Sequence, residues 1–320
     1  MNQPLLPDTK RIALMQQNIS DIHAFFAGNG REKAKLLFLH QFKKHYFILP
    51  PAWRILLRLG SADRRMIPAF TSTGVIRSGT SSMSNYLLQH PCVVMPLSKE
   101  LGALSPRLNA VKAQFPTLKE QQQVAQQYGM AITGDCTPIV PGLTQLYWMK
   151  AINPQMKYII TLRDPVERTL SHWRWHQMII RPFRNDPLWK EMPDMEQTLR
   201  LEMAQFANGT VGFITFCGAS STGFIQQSCY LPFLQQLYRE VPRENILIIQ
   251  AEEFFRKKAD TAAEAYRFLG LPPCTPVDIE ETNPSDPIEA SPALKKELAD
   301  FFRPHNERLY QFLGRDLGWQ

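Results

Sequence analysis

Long apolar runs are missing from this 320-residue chain; none approaches the roughly 18 residues that would suggest a membrane-spanning helix. Cysteine is scarce as well. The five present, Cys92, Cys136, Cys217, Cys229 and Cys274, are odd in number, widely spaced and include no C-x-x-C pair. This argues against a disulfide framework and a zinc knuckle, and suits a reducing compartment. The seven histidines form no metal-ligand pattern. No internal repeat or long low-complexity tract occurs, and the first residues, MNQPLLPDTKRIALMQQ, lack the basic-then-apolar layout of a secretory signal. The expectation is a cytoplasmic protein with no stable membrane insertion and no metal.

What is present is ordinary globular material: 44% hydrophobic and 20% charged residues, enough for one large α/β domain or two small ones. Lys plus Arg exceed Asp plus Glu by 36 to 29, a net charge of +7 with a pI near 9.2. That balance favours anionic partners, whether a polyphosphate cofactor, nucleic acid, an acidic glycan or a membrane surface. Lysine and arginine occur along the whole chain without a nucleic-acid-binding motif, so no nucleic-acid partner is expected.

Residues 1–66 are helical and basic in pattern, with KAKLLFLHQFKKHYFILPPAWRILLRLG the most distinctive part. Lys43, Lys44, Arg54 and Arg58 interleave there with aromatics, as in membrane-surface segments. The preferred expectation is a helical extension packed on the main domain. From Met66 on, short β-type runs alternate with helical periods, the signature of βαβ units and a parallel sheet. Strands are expected near Phe70–Ile76, Ala131–Asp135, Tyr158–Leu162 and Ile246–Gln250. Helices are expected at Thr80–Gln89, Pro165–Met178, Ser228–Arg239, Ala259–Leu269 and Pro292–Leu313. Gln205–Gly223, rich in Gly, Ser and Thr, has the composition of a long loop.

Two stretches carry chemistry. In GVIRSGTSSMSNYLLQHP (Gly74–Pro91), a β-run leads through Arg77, Ser78 and Gly79 into a helix beginning at Thr80. Backbone N–H groups and the helix dipole favour an anion at such a point. Gly79 permits close approach, the hydroxyls of Thr80, Ser81 and Ser82 add donors, and Arg77 adds a charged fork. A nucleoside-triphosphate loop would carry lysine at position 80, where this chain has Thr80. The second stretch, KYIITLRDPVERTLSHWRWHQ (Lys157–Gln177), is an apolar strand ending in Arg163, then a helix start with Asp164 as N-cap, Pro165 at the first position and Glu167 completing a capping box. Arg163 therefore stands at the carboxyl end of a parallel strand, where open α/β sheets bind ligands. Arg168 and Ser171 share a face of that helix; the plain structural role for Arg168 is pairing with a surface carboxylate.

GVIRSGTSSM resembles the 5′-phosphosulfate loop of sulfotransferases that use 3′-phosphoadenosine 5′-phosphosulfate (PAPS), and LRDPVERTLSHW resembles their 3′-phosphate motif. The likeness to bacterial and Golgi-type glycan sulfotransferases continues through LSKE, GDCTP, SCYLPFLQQL, ILIIQAEEFF, FLGL and FFRPHNERLYQFLGRDLGW, from Ile67 to Trp319. It implies a P-loop-like α/β fold, a parallel sheet flanked by helices, over residues 67–320, with residues 1–66 as the helical extension.

The resemblance also implies roles. Arg77 would neutralise charge on the bridging oxygen as the sulfuryl group leaves, with Ser78, Gly79, Thr80, Ser81 and Ser82 around the 5′-phosphate. Arg163 and Ser171 would grip the 3′-phosphate. Many members have lysine at the loop cation; arginine stays protonated, so only the electrostatic role carries over. Glu100 matches the general base, with His172 and His176 as rivals placed where a structural role is expected. Asp135 and Thr137 would contact the acceptor, while Cys136 replaces a lysine able to meet an acidic sugar. Pro276–Pro292 is acidic where glycan-modifying members carry a basic loop. The implied reaction is sulfuryl transfer from PAPS to a hydroxyl or amine of a natural-product-like small molecule, releasing PAP (adenosine 3′,5′-bisphosphate). A carbohydrate acceptor is the alternative, a P-loop kinase or NTPase a more distant one, and a homodimer is allowed.

Overall fold

The computed structural model describes residues 4–43, 45–46, 50–101, 108–138, 149–180, 194–209, 223–279 and 288–319. They form two compact units. The first comprises Met1–Gly74, Gly79–Thr161 and Arg243–Thr282; the second comprises Val75–Ser78, Leu162–Pro242 and Asn283–Gln320.

The first unit opens with helix α1 (Thr9–Ala27), started by Asp8, whose carboxylate accepts from the amides of Lys10 and Arg11. Helix α2 (Gly30–His40) begins with a reciprocal capping box between Asn29 and Glu32, and helix α3 (Ala52–Leu59) follows. Strand β1 (Phe70–Gly74) is buried along its whole length and leads towards helix α4 (Thr80–Leu88). Short helix α5 (Leu108–Lys112) and helix α6 (Leu118–Tyr128), the latter capped by Thr117 and Glu120, precede β2 (Gly134–Asp135) and β3 (Lys157–Leu162). Strand β4 (Ile246–Gln250) runs into α10 (Ala251–Arg256) and α11 (Lys258–Leu269).

The four strands make one sheet of order β2-β1-β3-β4, flanked by helices as the sequence implies. Strand β1 pairs in parallel with β2 and β3, in a register that sets Phe70 against Gly134 and Lys157. Gly134 is required there, because a Cβ would stand 2.5 Å from the Phe70 ring. Phe70, Met83, Leu87, Ile159, Ile249, Phe254 and Tyr266 form a continuous core, which also takes in Ile12 and Met15 of α1. The compact units therefore do not divide at Met66: the N-terminal helices belong with the sheet. Arg11 donates to the carbonyls of Leu88, His90 and Val93, and Tyr46 is fully buried.

The second unit contains α7 (Pro165–Ile180), α8 (Met195–Ala207), α9 (Leu231–Glu240) and α12 (Pro292–Leu313). Its separate core joins Leu170 and Trp173 of α7, Leu199 of α8, Phe224, and Leu294, Leu298 and Phe302 of α12.

Several expected boundaries shift. Strand β1 stops at Gly74 rather than Ile76 because Val75–Ser78 form a turn, with Ser78 donating to the Val75 carbonyl. Strand β2 keeps only the last two residues of the expected Ala131–Asp135. Helix α9 starts at Leu231, after a 3-10 turn at Gln226–Ser228, instead of at Ser228. Of the expected Gln205–Gly223 loop, residues 205–207 end α8 and residues 210–222 lie outside the described residues, as does Cys217. So do residues 280–287 of the acidic stretch.

Candidate active site

In the first unit the site grows from the N-terminus of α4. Gly79 caps that helix in the left-handed region, φ +92°, where a side chain is strained, and an added Cβ would meet the Phe255 ring at 3.2 Å. Thr80 is buried and Ser81 and Ser82 are partly exposed on the first turn. The position expected of a loop lysine is Thr80, yet an ammonium is present: Lys99 Nζ donates to Ser81 Oγ at 3.0 Å and pairs with Glu100 at 2.9 Å. Lys99 is itself almost entirely buried. In the sequence it is only one residue of LSKE, because nothing local connects it to Ser81, 18 residues away.

The Lys99–Leu101 segment is held from three sides. Its amide at Lys99 donates to the Tyr46 carbonyl at 2.7 Å, the Lys99 carbonyl accepts from Cys136 N at 3.0 Å, and Leu101 N donates to Asp135 and Thr137. Asp135 is fully buried, accepts from Thr137 at 2.6 Å and from Thr71 at 3.3 Å, and burial raises its pKa. The acceptor contact expected of Asp135 and Thr137 is joined here by a structural role. Their oxygens are turned into the protein, where they fix the backbone beside Glu100. Cys136, buried beside them, has its thiol pushed up to about 12 by desolvation. Glu100 remains one-third exposed.

In the second unit, Arg77 adopts φ +72°, the only positive φ of a non-glycine residue among those described. Such a backbone persists where its surroundings hold it. Arg163 donates to the Arg77 carbonyl at 3.3 Å, and Arg168 donates to the preceding Ile76 carbonyl at 3.0 Å. Arg77 Nε in turn donates to Ser171 Oγ at 3.0 Å. The loop cation thus meets both residues of the second motif, Arg163 just before α7 and Ser171 on its second turn. Ser78 is different: fully buried, it donates both amide and hydroxyl to Val75 and so forms the turn.

Arg168 is the other residue whose role the sequence concealed. Instead of pairing at the surface it is completely buried, donating to Ser228 Oγ at 2.6 Å, to the Phe224 carbonyl and to Ile76. Desolvation lowers its pKa to about 10, still far above neutrality. Its fixed fork ties α7, the Phe224–Ser228 turn and the backbone before Arg77 into one assembly. His172, 3.2 Å from Arg168, and His176 are buried, with pKa values driven down by desolvation, to about 4 for His176, which favours the neutral imidazole.

No protein-family model matches the chain. It is similar to the membrane-associated sulfotransferase kil1 of Dictyostelium discoideum, 22% identical over 79% of this chain and 67% of that protein. It is also similar to heparan sulfate glucosamine 3-O-sulfotransferase 3B1 of Mus musculus, 23% identical over 81% of this chain and 66% of the other. The similarity of this chain is thus to sulfotransferases. Among solved structures it resembles a sulfotransferase from Alicyclobacillus acidocaldarius, with a TM-score of 0.51, 24% identity and coverage of 78% and 97% of the two chains, a likeness that concerns the sulfotransferase fold. The chain spans about two thirds of the length of the curated sulfotransferases named here, and 45% of the length of the 3A1 form from mouse.

Proposed function

We propose that this chain is a PAPS-dependent sulfotransferase that moves the sulfuryl group to a hydroxyl or amine of a small-molecule acceptor and releases PAP. The observation that supports it most is the joining of Arg77 to Ser171 and Arg163, since a ligand carrying anions at two separate points needs both motifs organised together. The left-handed Gly79 cap, the Ser81 hydroxyl and Lys99 fit the other anion, at the start of α4.

In this reading, Arg77 stabilises the negative charge that develops on the departing phosphate oxygen, and Lys99 meets the anion at the start of α4. Glu100 accepts the proton of the acceptor as its oxygen or nitrogen attacks sulfur. Arg168 acts through the backbone of Ile76 and Arg77, and Asp135 through Leu101, so that neither cation nor base must be reorganised during transfer. The four described cysteines are free and buried thiols, which supports a cytoplasmic setting.

A carbohydrate acceptor is the second reading, favoured by the relatives named for glucosamine 3-O-sulfation of heparan sulfate. Against a strongly acidic glycan stands Cys136, buried and neutral where a lysine would meet a carboxylate.

Thermal unfolding with PAP, ADP or Mg-ATP tests the nucleotide. A ligand at about 100 times its Kd adds roughly 2.7 kcal/mol, so PAP alone is expected to raise the midpoint. A shift with Mg-ATP and none with PAP overturns the proposal. PAP formation with neutral small molecules, neutral sugars and acidic glycans then separates the two acceptor readings.

A further inference from the structure

Helix α3 is inside out. Its two arginines, one turn apart, face the protein: Arg54 donates to the Lys43 carbonyl at 2.9 Å, and Arg58 to the carbonyls of Ala113 and Phe115 at 2.7 and 2.8 Å. Four of its six apolar residues, Ala52, Trp53, Leu56 and Leu57, are exposed, while Ile55 and Leu59 are half-buried. Trp53, Leu56 and Leu57, spaced to share one face, are 41, 63 and 77% exposed, and no residue of the helix is buried. A water-facing helix ordinarily shows the opposite pattern.

The neighbouring end of α2 repeats it. Leu37 and Phe38 are exposed, and so is Phe42 just beyond, its ring 5.3 Å from that of Phe38. Trp53 Nε1 donates to Gln41 Oε1 at 3.4 Å, which joins the two helices and makes the exposed apolar side chains one patch. Isolated apolar residues on a surface are unremarkable, but a contiguous group marks an interaction site.

Charge identifies the partner. Residues 30–66 contain nine Lys and Arg against two Asp and Glu, a net +7, which equals the net charge of the whole chain. Although basic residues occur throughout, the remainder balances to zero. Arg31 and Lys35 stand exposed on α2 itself. A second copy of this face would bring two such positive segments together, so self-association is disfavoured. No described helix is long and apolar enough to cross a membrane. Exposed aromatic and aliphatic side chains, on a segment that also exposes Arg31, Lys35 and Arg64, suit a surface that is apolar a few ångströms down and anionic at the top.

We infer that the α2–α3 face docks this protein on an anionic lipid surface, with Phe38, Phe42, Trp53, Leu56 and Leu57 entering the headgroup–acyl boundary and the exposed Arg31, Lys35 and Arg64 meeting acidic headgroups. The patch is connected to the candidate site through the chain itself. Tyr46, between α2 and α3, pairs with Leu97 and Lys99, so the docking segment also supports the backbone that carries Glu100.

The test is sedimentation of the full-length protein with vesicles of palmitoyl-oleoyl-phosphatidylcholine, alone or with about a third phosphatidylserine in its place. Binding to the serine-lipid vesicles should exceed that to phosphatidylcholine by about tenfold or more, and should fall when salt shortens the Debye length to about 3 Å. The exposed double variant Leu56→Ser/Leu57→Ser should lose at least about tenfold in binding while keeping its thermal midpoint. Equal binding to the two vesicles, absence of binding, or an unaffected double variant overturns the inference. A wild-type dimer in light scattering that the double variant converts to monomer also overturns it, by giving the face to a second copy.

Discussion

Lys99 Nζ lies 3.0 Å from Ser81 Oγ, so the ammonium missing from the loop at Thr80 is supplied by a segment further along the chain. The loop keeps a short hydroxyl side chain at its helix start, while a cation from a distant segment meets its Ser81. A buried ammonium with a hydroxyl and a carboxylate as partners is held in one orientation, where a loop lysine would keep its rotamer freedom.

Replacing Lys99 by alanine should therefore weaken PAP binding by roughly 10- to 100-fold, the range of a charge-assisted hydrogen bond of about 1.5–3 kcal/mol. Calorimetric titration of PAP into the variant measures this. Affinity equal to wild type would remove Lys99 from the anion site.

For Glu100→Gln the expected loss is in turnover: kcat lower by about 10²- to 10⁴-fold with PAP affinity retained, as for removal of a general base. Steady-state rates with a saturating acceptor, beside the PAP titration, separate the two quantities. Unchanged kcat would exclude Glu100 as the base and leave it as the ion-pair partner of Lys99.

Arg168→Met should destabilise the second unit by roughly 3 kcal/mol or more, since Ser228, the Ile76 and Phe224 carbonyls and the nearby Glu202 lose a buried cationic partner. The thermal midpoint reports the loss. Arg77 should lose its left-handed backbone with it, so that PAP affinity falls even at temperatures where the variant is folded. A folded variant with wild-type PAP affinity would confine Arg168 to stability.

Glu202 gives a pH dependence with a defined sign. Burial lifts its carboxyl from 4.5 to about 7, so the folded state binds a proton that the unfolded state releases. Its stabilising contribution is complete below pH 4.5 and is lost as pH rises through 7. Between pH 6.5 and 8 the second unit should lose about 1 kcal/mol from this group. The buried histidines act in the other direction. With depressed pKa values they cost stability as pH falls from 6.5 towards 4, so the midpoint should peak near pH 6–7. Glu202→Gln should flatten the alkaline side of that profile, and an unchanged slope would disprove the assignment.

The parts of the fold legible in the sequence are those set by neighbouring residues. Ser291 and Pro292 start α12 where capping chemistry places it, and Gly314 ends it in the left-handed region, so Pro292–Leu313 agrees at both ends. Strand β4 is an apolar run that agrees likewise. The turn after Gly74 escaped because it depends on Arg163 and Arg168 holding the Ile76 and Arg77 carbonyls from more than 80 residues away. The site followed the same division. The loop and the strand–arginine motif could be read locally, whereas Lys99, Arg168 and the inward turn of Asp135 depend on partners the local pattern does not reveal.

The pairing of Tyr46 with Leu97 and Lys99 bears on where this protein can be cut. A shorter chain beginning at Met66 would retain every motif that resembles the family. It would nevertheless surrender Ile12 and Met15 from the core, leave the carbonyls of Leu88 and His90 without Arg11, and strip one edge from the segment bearing Lys99 and Glu100. Ile12, Met15, Arg11 and Tyr46 thus brace the first unit, and a dissection guided by the motifs alone would discard these supports.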